Sequence, residues 1–152
     1  MCVLRLSKTE FEDMCRHYGG TPEVRIDPIS GEPWKYLCKL GDEKNGVTID
    51  IVHTGDYRTD VFVGKRVGTL RPKHLNESYI ALPLSNATCK VEKAATGPLL
   101  RCDGDMQDKR YEVVVFRDGY WDLVAELNTK NDSKYTLARL VLKPKRELEE
   151  TK

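Results

Sequence analysis

Residues 111–127 read YEVVVFRDGYWDLVAEL, and this stretch decides the fold class. Two apolar runs flank Asp118-Gly119, the preferred pair for a two-residue type I′ turn, because both central positions take positive φ. Such a turn sets Arg117 opposite Tyr120, Phe116 opposite Trp121 and Val114 opposite Leu123 in an antiparallel hairpin. One face then gathers Val114, Phe116, Trp121, Leu123, Ala125 and Leu127, an aromatic-rich core face. The other mixes Val113, Val115 and Val124 with Arg117, Asp122 and Glu126, the composition of a half-exposed face.

The period of two recurs upstream. Trp34, Tyr36, Cys38 and Leu40 alternate with Lys35 and Lys39, and Val47, Ile49, Ile51 and His53 share a face opposite Thr48 and Asp50. Both patterns are those of half-buried strands, and GDEKNG turns the chain between them. Further strands are expected at 23–26, 60–63, 79–84, 87–92, 99–102 and 134–142. Leu137, Leu140 and Val141 in the last segment also suit a helix, and Pro144 marks its end. A second hairpin closing around residues 94–97 places Val91 opposite Leu100 and Cys89 opposite Cys102, a register that allows a cross-strand disulfide in an oxidising compartment.

One helix is signalled, over residues 8–18. Ser7 and Glu10 form a capping box, Phe11, Met14, Cys15 and Tyr18 fall on one face, and Gly19-Gly20 supplies the left-handed stop. The expected architecture is therefore mainly β, an antiparallel β-sandwich or small barrel of about eight or nine strands with one N-terminal amphipathic helix. Residues 1–143 read as a single domain and residues 144–152 as a charged, solvated tail. A hydrophobic fraction of 39% is too high for a disordered chain. The formal net charge of +1 argues against nucleic acid as the main partner, because domains built for it carry a clear basic excess.

Charge and backbone permissiveness coincide in one place, VFVGKRVGTLRPKH at residues 61–74. Gly64 and Gly68 flank Lys65 and Arg66, then Arg71, Lys73 and His74 follow with no acid among them. Glycines let a backbone approach an anion, and the cations would hold it. The order GxxxxGK[ST] of a phosphate-binding loop is missing. The plainer reading of such a run is a solubilising surface loop.

Catalytic patterns are weak. Asp50 and His53 are three apart on a strand, so their side chains leave opposite faces. His17 lies at the helix C-terminus, where an imidazolium suits the dipole. Residues 103–108, DGDMQD, form a carboxylate-rich stretch that calcium would accept, but its spacing is not that of an EF-hand and such residues are what a tight turn prefers. The sequence therefore leads to no metal, no cofactor and no catalytic residue, and to a non-enzymatic binding or interaction module. Its partner is a protein or an anionic ligand (phosphate, lipid headgroup or acidic protein), held by Lys65, Arg66, Arg71, Lys73 and His74. The alternatives are a secreted, glycosylated domain that binds proteins, or a hydrolase or transferase drawing on His53, His74, Asp50, Asp103 and Asp105.

Compartment signals conflict. The stretch MCVLRLSKTEFEDMC lacks the apolar core of a signal peptide, and Cys2 in place of Gly excludes myristoylation. No run reaches the length of a membrane span. The five cysteines, at 2, 15, 38, 89 and 102, contain no CxxC pair, and Cys15 and Cys38 read as buried thiols acting as small hydrophobes. These features lead to a cytoplasmic chain. Against them stand three glycosylation sequons, at Asn76, Asn86 and Asn131.

Overall fold

The structure, a computed structural model, describes residues 6–41, 46–54, 58–65, 82–95, 97–106, 108–118, 122–129 and 134–141. The chain opens with helix α1, Lys8–His17. The Ser7 hydroxyl accepts the Glu10 amide at 3.3 Å, the first half of the expected cap. Gly19 takes φ 77°, and Gly19 N and Gly20 N donate to Arg16 O and Cys15 O at 2.9 and 2.8 Å. That reverse pairing satisfies the last carbonyls and stops the helix. Phe11, Met14 and Cys15 form its buried face.

Nine strands follow: β1 Thr21–Ile26, β2 Pro33–Leu40, β3 Val47–Thr54, β4 Arg58–Lys65, β5 Leu82–Ala94, β6 Gly97–Met106, β7 Lys109–Asp118, β8 Asp122–Thr129 and β9 Lys134–Val141. Each pairs antiparallel with the next, in the order β1-β2-β3-β4-β5-β6-β7-β8-β9. The fold is mainly β, as expected. Among the described residues no pairing joins β9 back to β1, so the sheet is not closed.

Residues 79–81 of the strand expected at 79–84 lie outside the described residues, and its remainder belongs with the strand expected at 87–92 to one long element, β5. Ser85 pairs with Asp105 and Thr88 with Asp103, so Asn86 and Ala87 together face Gly104. This β-bulge bends the strand. Residues 82–84 then pair with β4 while the remainder pairs with β6. Gly104 makes the close approach possible: a Cβ there would lie 2.8 Å from Leu84 Cβ and 3.1 Å from Ser85 O.

Curling brings the inner faces onto one core. Tyr36, Cys38 and Leu40 of β2, Ile49 and Ile51 of β3, Val61 and Val63 of β4, Leu100 and Cys102 of β6, and Leu123 and Leu127 of β8 are buried with the apolar face of α1. Phe11 meets the edge of the Tyr36 ring at 5.4 Å, and the Tyr36 hydroxyl donates to Leu6 O at 2.5 Å. Burying large side chains of this kind contributes roughly 1.5–3 kcal/mol each.

Two sequence expectations need correction. The central hairpin pairs Asp118 with Asp122, Phe116 with Val124 and Val115 with Ala125. Three residues therefore separate the strands instead of two, and changing the loop length by an odd number flips one strand's parity. The core face carries Val113, Val115, Leu123, Ala125 and Leu127, while Phe116 leaves it. The opposite face is also less exposed than its charges suggested, since Val114, Val124 and Glu126 are buried. The second correction concerns residues 103–108. β6 runs on to Met106 and pairs it with Lys109, so Asp103 and Asp105 are strand residues and not part of a turn. The segment 134–141 resolves its ambiguity as strand β9.

Candidate functional site

The basic run expected to bind anions is placed only at its start. Gly64 pairs with Thr48 and Lys65 with Val47 at the end of β4. Arg66, Arg71, Lys73 and His74 lie outside the described residues. Among the described residues the candidates for a catalytic site, His53, Asp50, Asp103 and Asp105, are not brought together, and His74 lies outside the described residues. Asp50 faces away from the core and pairs with Lys35 at 3.7 Å, whereas His53 points inward, its Nδ1 2.6 Å from the Thr59 hydroxyl and its ring edge-on to Tyr36. Asp105 pairs with Arg110 at 3.2 Å. Among the described residues no group of three or more His, Cys, Asp or Glu is arranged to hold a metal. Nor is any helix there long and apolar enough to cross a membrane.

The cysteines sharpen the picture. Cys89 and Cys102 stand opposite one another, as the register required, and are bonded, with Cα atoms 4.1 Å apart. Cys15 and Cys38, read from the sequence as separate buried thiols, form a second disulfide with Cα atoms 5.9 Å apart. Their burial was legible, but their juxtaposition was not, because it depends on how α1 docks on β2. Two disulfides weigh against the expectation of a reducing cytoplasm.

Two surface features emerge. The first is a cleft of about 700 Å³ between α1 and the β5–β6 hairpin. Glu10, Asp13 and His17 line it from the helix, Val91 and Lys93 from β5, with Met14 beneath. His17 packs edge-on to Tyr18 at 5.0 Å, and a Cβ on Gly97 would lie 2.7 Å from its Nε2, so that glycine makes room for the ring. The Tyr18 hydroxyl donates to Pro98 O, and burial raises its pKa despite the opposing charge of Arg117. On the outer face of the same hairpin, hydrogen bonding from Lys90, then Arg101, holds Glu92 below the usual carboxylate range. The cleft walls carry mixed charge and its floor is Met14, which is what a helix resting on a hairpin produces.

The second feature is the β1–β2 tip. Asp27 organises it: its carboxylate accepts Ile29 N at 2.8 Å, its carbonyl accepts Gly31 N at 2.8 Å, and its own amide donates to Glu32 O at 2.9 Å. The Ser30 hydroxyl accepts Glu32 N at 3.3 Å, and Gly31 takes φ 74°, a conformation that favours glycine. This frame presents Ile29 at 96% exposure, with Ile26 at 42% and Trp34 at 37% on the strands below. Sequence reasoning passed over this stretch. A signal existed: in DPISGEP, at 27–33, an isoleucine stands among residues that each favour a turn, where a large apolar side chain has no core to enter.

No protein-family model, curated protein or solved structure matches the chain.

Proposed function

We propose that this chain is a non-enzymatic binding domain that works in an oxidising compartment and engages a protein partner through the β1–β2 tip. The observation that carries the reading is Ile29, 96% exposed on a loop whose own hydrogen bonds fix its shape. Interfaces draw most of their affinity from a few anchors that become fully desolvated, and a preorganised loop loses little freedom on binding. Ile26 and Trp34 supply apolar support beside the anchor. Both disulfides favour the oxidising compartment, and with it the secreted alternative over the cytoplasmic one.

The basic run supports a second reading, an anion contact by Lys65, Arg66, Arg71, Lys73 and His74. Lys65 pairs with Val47, which pairs with Leu40. It therefore sits at the end of the sheet opposite the Ile26–Pro33 pair that closes the tip. The two readings can thus be tested separately.

The test is binding of fluorescently labelled protein to the surface of cells from the source organism. Ile29→Asp should abolish saturable binding. Replacing Lys65, Arg66, Arg71 and Lys73 together by Ala should leave it largely intact. Full binding by Ile29→Asp with loss in the quadruple variant would assign the function to the basic run instead.

A further inference from the structure

We infer that Asn86 is an N-glycan acceptor, an inference that rests on the oxidising-compartment reading above. Asn86-Ala87-Thr88 has the acceptor pattern, an asparagine followed two residues on by a hydroxyl. In a regular strand the middle residue of such a triplet would share the sheet's other face, and the outer pair would stand or be buried together. At the β5 bulge Ala87 turns into the core at 8% exposure, while Asn86 and Thr88 are both exposed. Asn86 takes φ 52°, in the left-handed region that asparagine tolerates better than most side chains. Opposite it stands Gly104, with no side chain to crowd the bulge. A saccharide on Asn86 would thus extend into solvent without displacing any packed group.

The second observation is the pair of disulfides. Cys89–Cys102 lies on the same β5–β6 hairpin, one residue beyond Thr88. A compartment that forms it is oxidising, as is the lumen where glycan transfer takes place in eukaryotes. The transfer is a substitution at the anomeric carbon of a lipid-pyrophosphate-linked oligosaccharide. The amide Nδ2 of Asn86 forms the new bond to that carbon, the carbon–oxygen bond to the pyrophosphate breaks, the lipid pyrophosphate departs, and Nδ2 releases one proton.

The experiment is peptide mapping of the full chain secreted from eukaryotic cells, with the deglycosylating amidase applied in heavy-oxygen water. The expected result is Asn86 recovered as isotopically labelled Asp, with Asn86→Gln and Thr88→Ala each losing one glycan mass and Thr88→Ser retaining it. Occupancy is read on the unaltered chain, so a variant that folds poorly does not affect the outcome. Disulfide mapping on the same sample separates the two claims. Intact Cys15–Cys38 and Cys89–Cys102 with unmodified Asn86 overturns the glycan alone, whereas free thiols with unmodified Asn86 overturns the compartment as well.

Discussion

Cys15 on α1 is bonded to Cys38 on β2, at a sequence separation of 23. The helix is thereby fixed covalently to the strand whose hairpin with β1 carries the exposed tip. Closing a loop of that length in the unfolded chain stabilises the fold by about 3 kcal/mol. Replacing both cysteines by Ala should lower the urea midpoint accordingly. A loss under about 1 kcal/mol would mean the bond adds little to docking that packing already secures.

A hydrogen bond ties the C-cap of α1 to the β5–β6 hairpin, from the Tyr18 hydroxyl to Pro98 O. Burial raises the Tyr18 pKa above the ordinary phenol value of 10.0. A raised folded-state pKa stabilises the protein fully below the unfolded value, and the contribution is lost as pH rises through the folded one. Thermal stability should therefore fall above about pH 10, and Tyr18→Phe should remove that alkaline step while costing about 1 kcal/mol at neutral pH.

Gly104 tests the bulge. A methyl group there meets Leu84 Cβ at 2.8 Å and the backbone Ser85 O at 3.1 Å, neither of which is the far end of a flexible side chain. Gly104→Ala should cost about 2 kcal/mol in denaturant melts. Gly31→Ala has open space around the new methyl and only the strain of φ 74°, so its cost should be about 1 kcal/mol.

Glu92 accepts from Lys90 at 2.9 Å and from Arg101 at 3.2 Å on the exposed face of the β5–β6 hairpin. Its depressed pKa means the stabilisation is present above the unfolded value and fades as pH falls through the folded one. A carboxyl-detected NMR titration should place its midpoint below those of other exposed glutamates. Lys90→Gln should move it up, more at low salt than at high.

What the sequence made legible was local. The Ser7 cap, the helix stripe and the alternation at Tyr36–Leu40 need only neighbours a few residues apart, and each matches the structure, whereas Trp34, expected on the same buried face, is exposed at the strand's start. Cys89 opposite Cys102 was legible too, because a short hairpin fixes its own register. The Asp118-Gly119 signal misled, since the strands end at Asp118 and Asp122 and a longer loop overrode the two-residue preference. The Cys15–Cys38 bond and the continuity of β5 were hidden, for both depend on how distant segments dock. The tip was missed for a different reason: turn residues were read as punctuation, so Ile29 among them went unweighed. The cations from Arg66 to His74 lie outside the described residues, so their reading stands where the sequence left it.

The most direct measurement is site-specific photocrosslinking on source-organism cells, with a photoreactive residue at position 29 and, in a second preparation, at position 65. The account predicts one saturable protein adduct from position 29, blocked by excess unlabelled protein, and none from position 65. An adduct from position 65 with none from position 29 would contradict it.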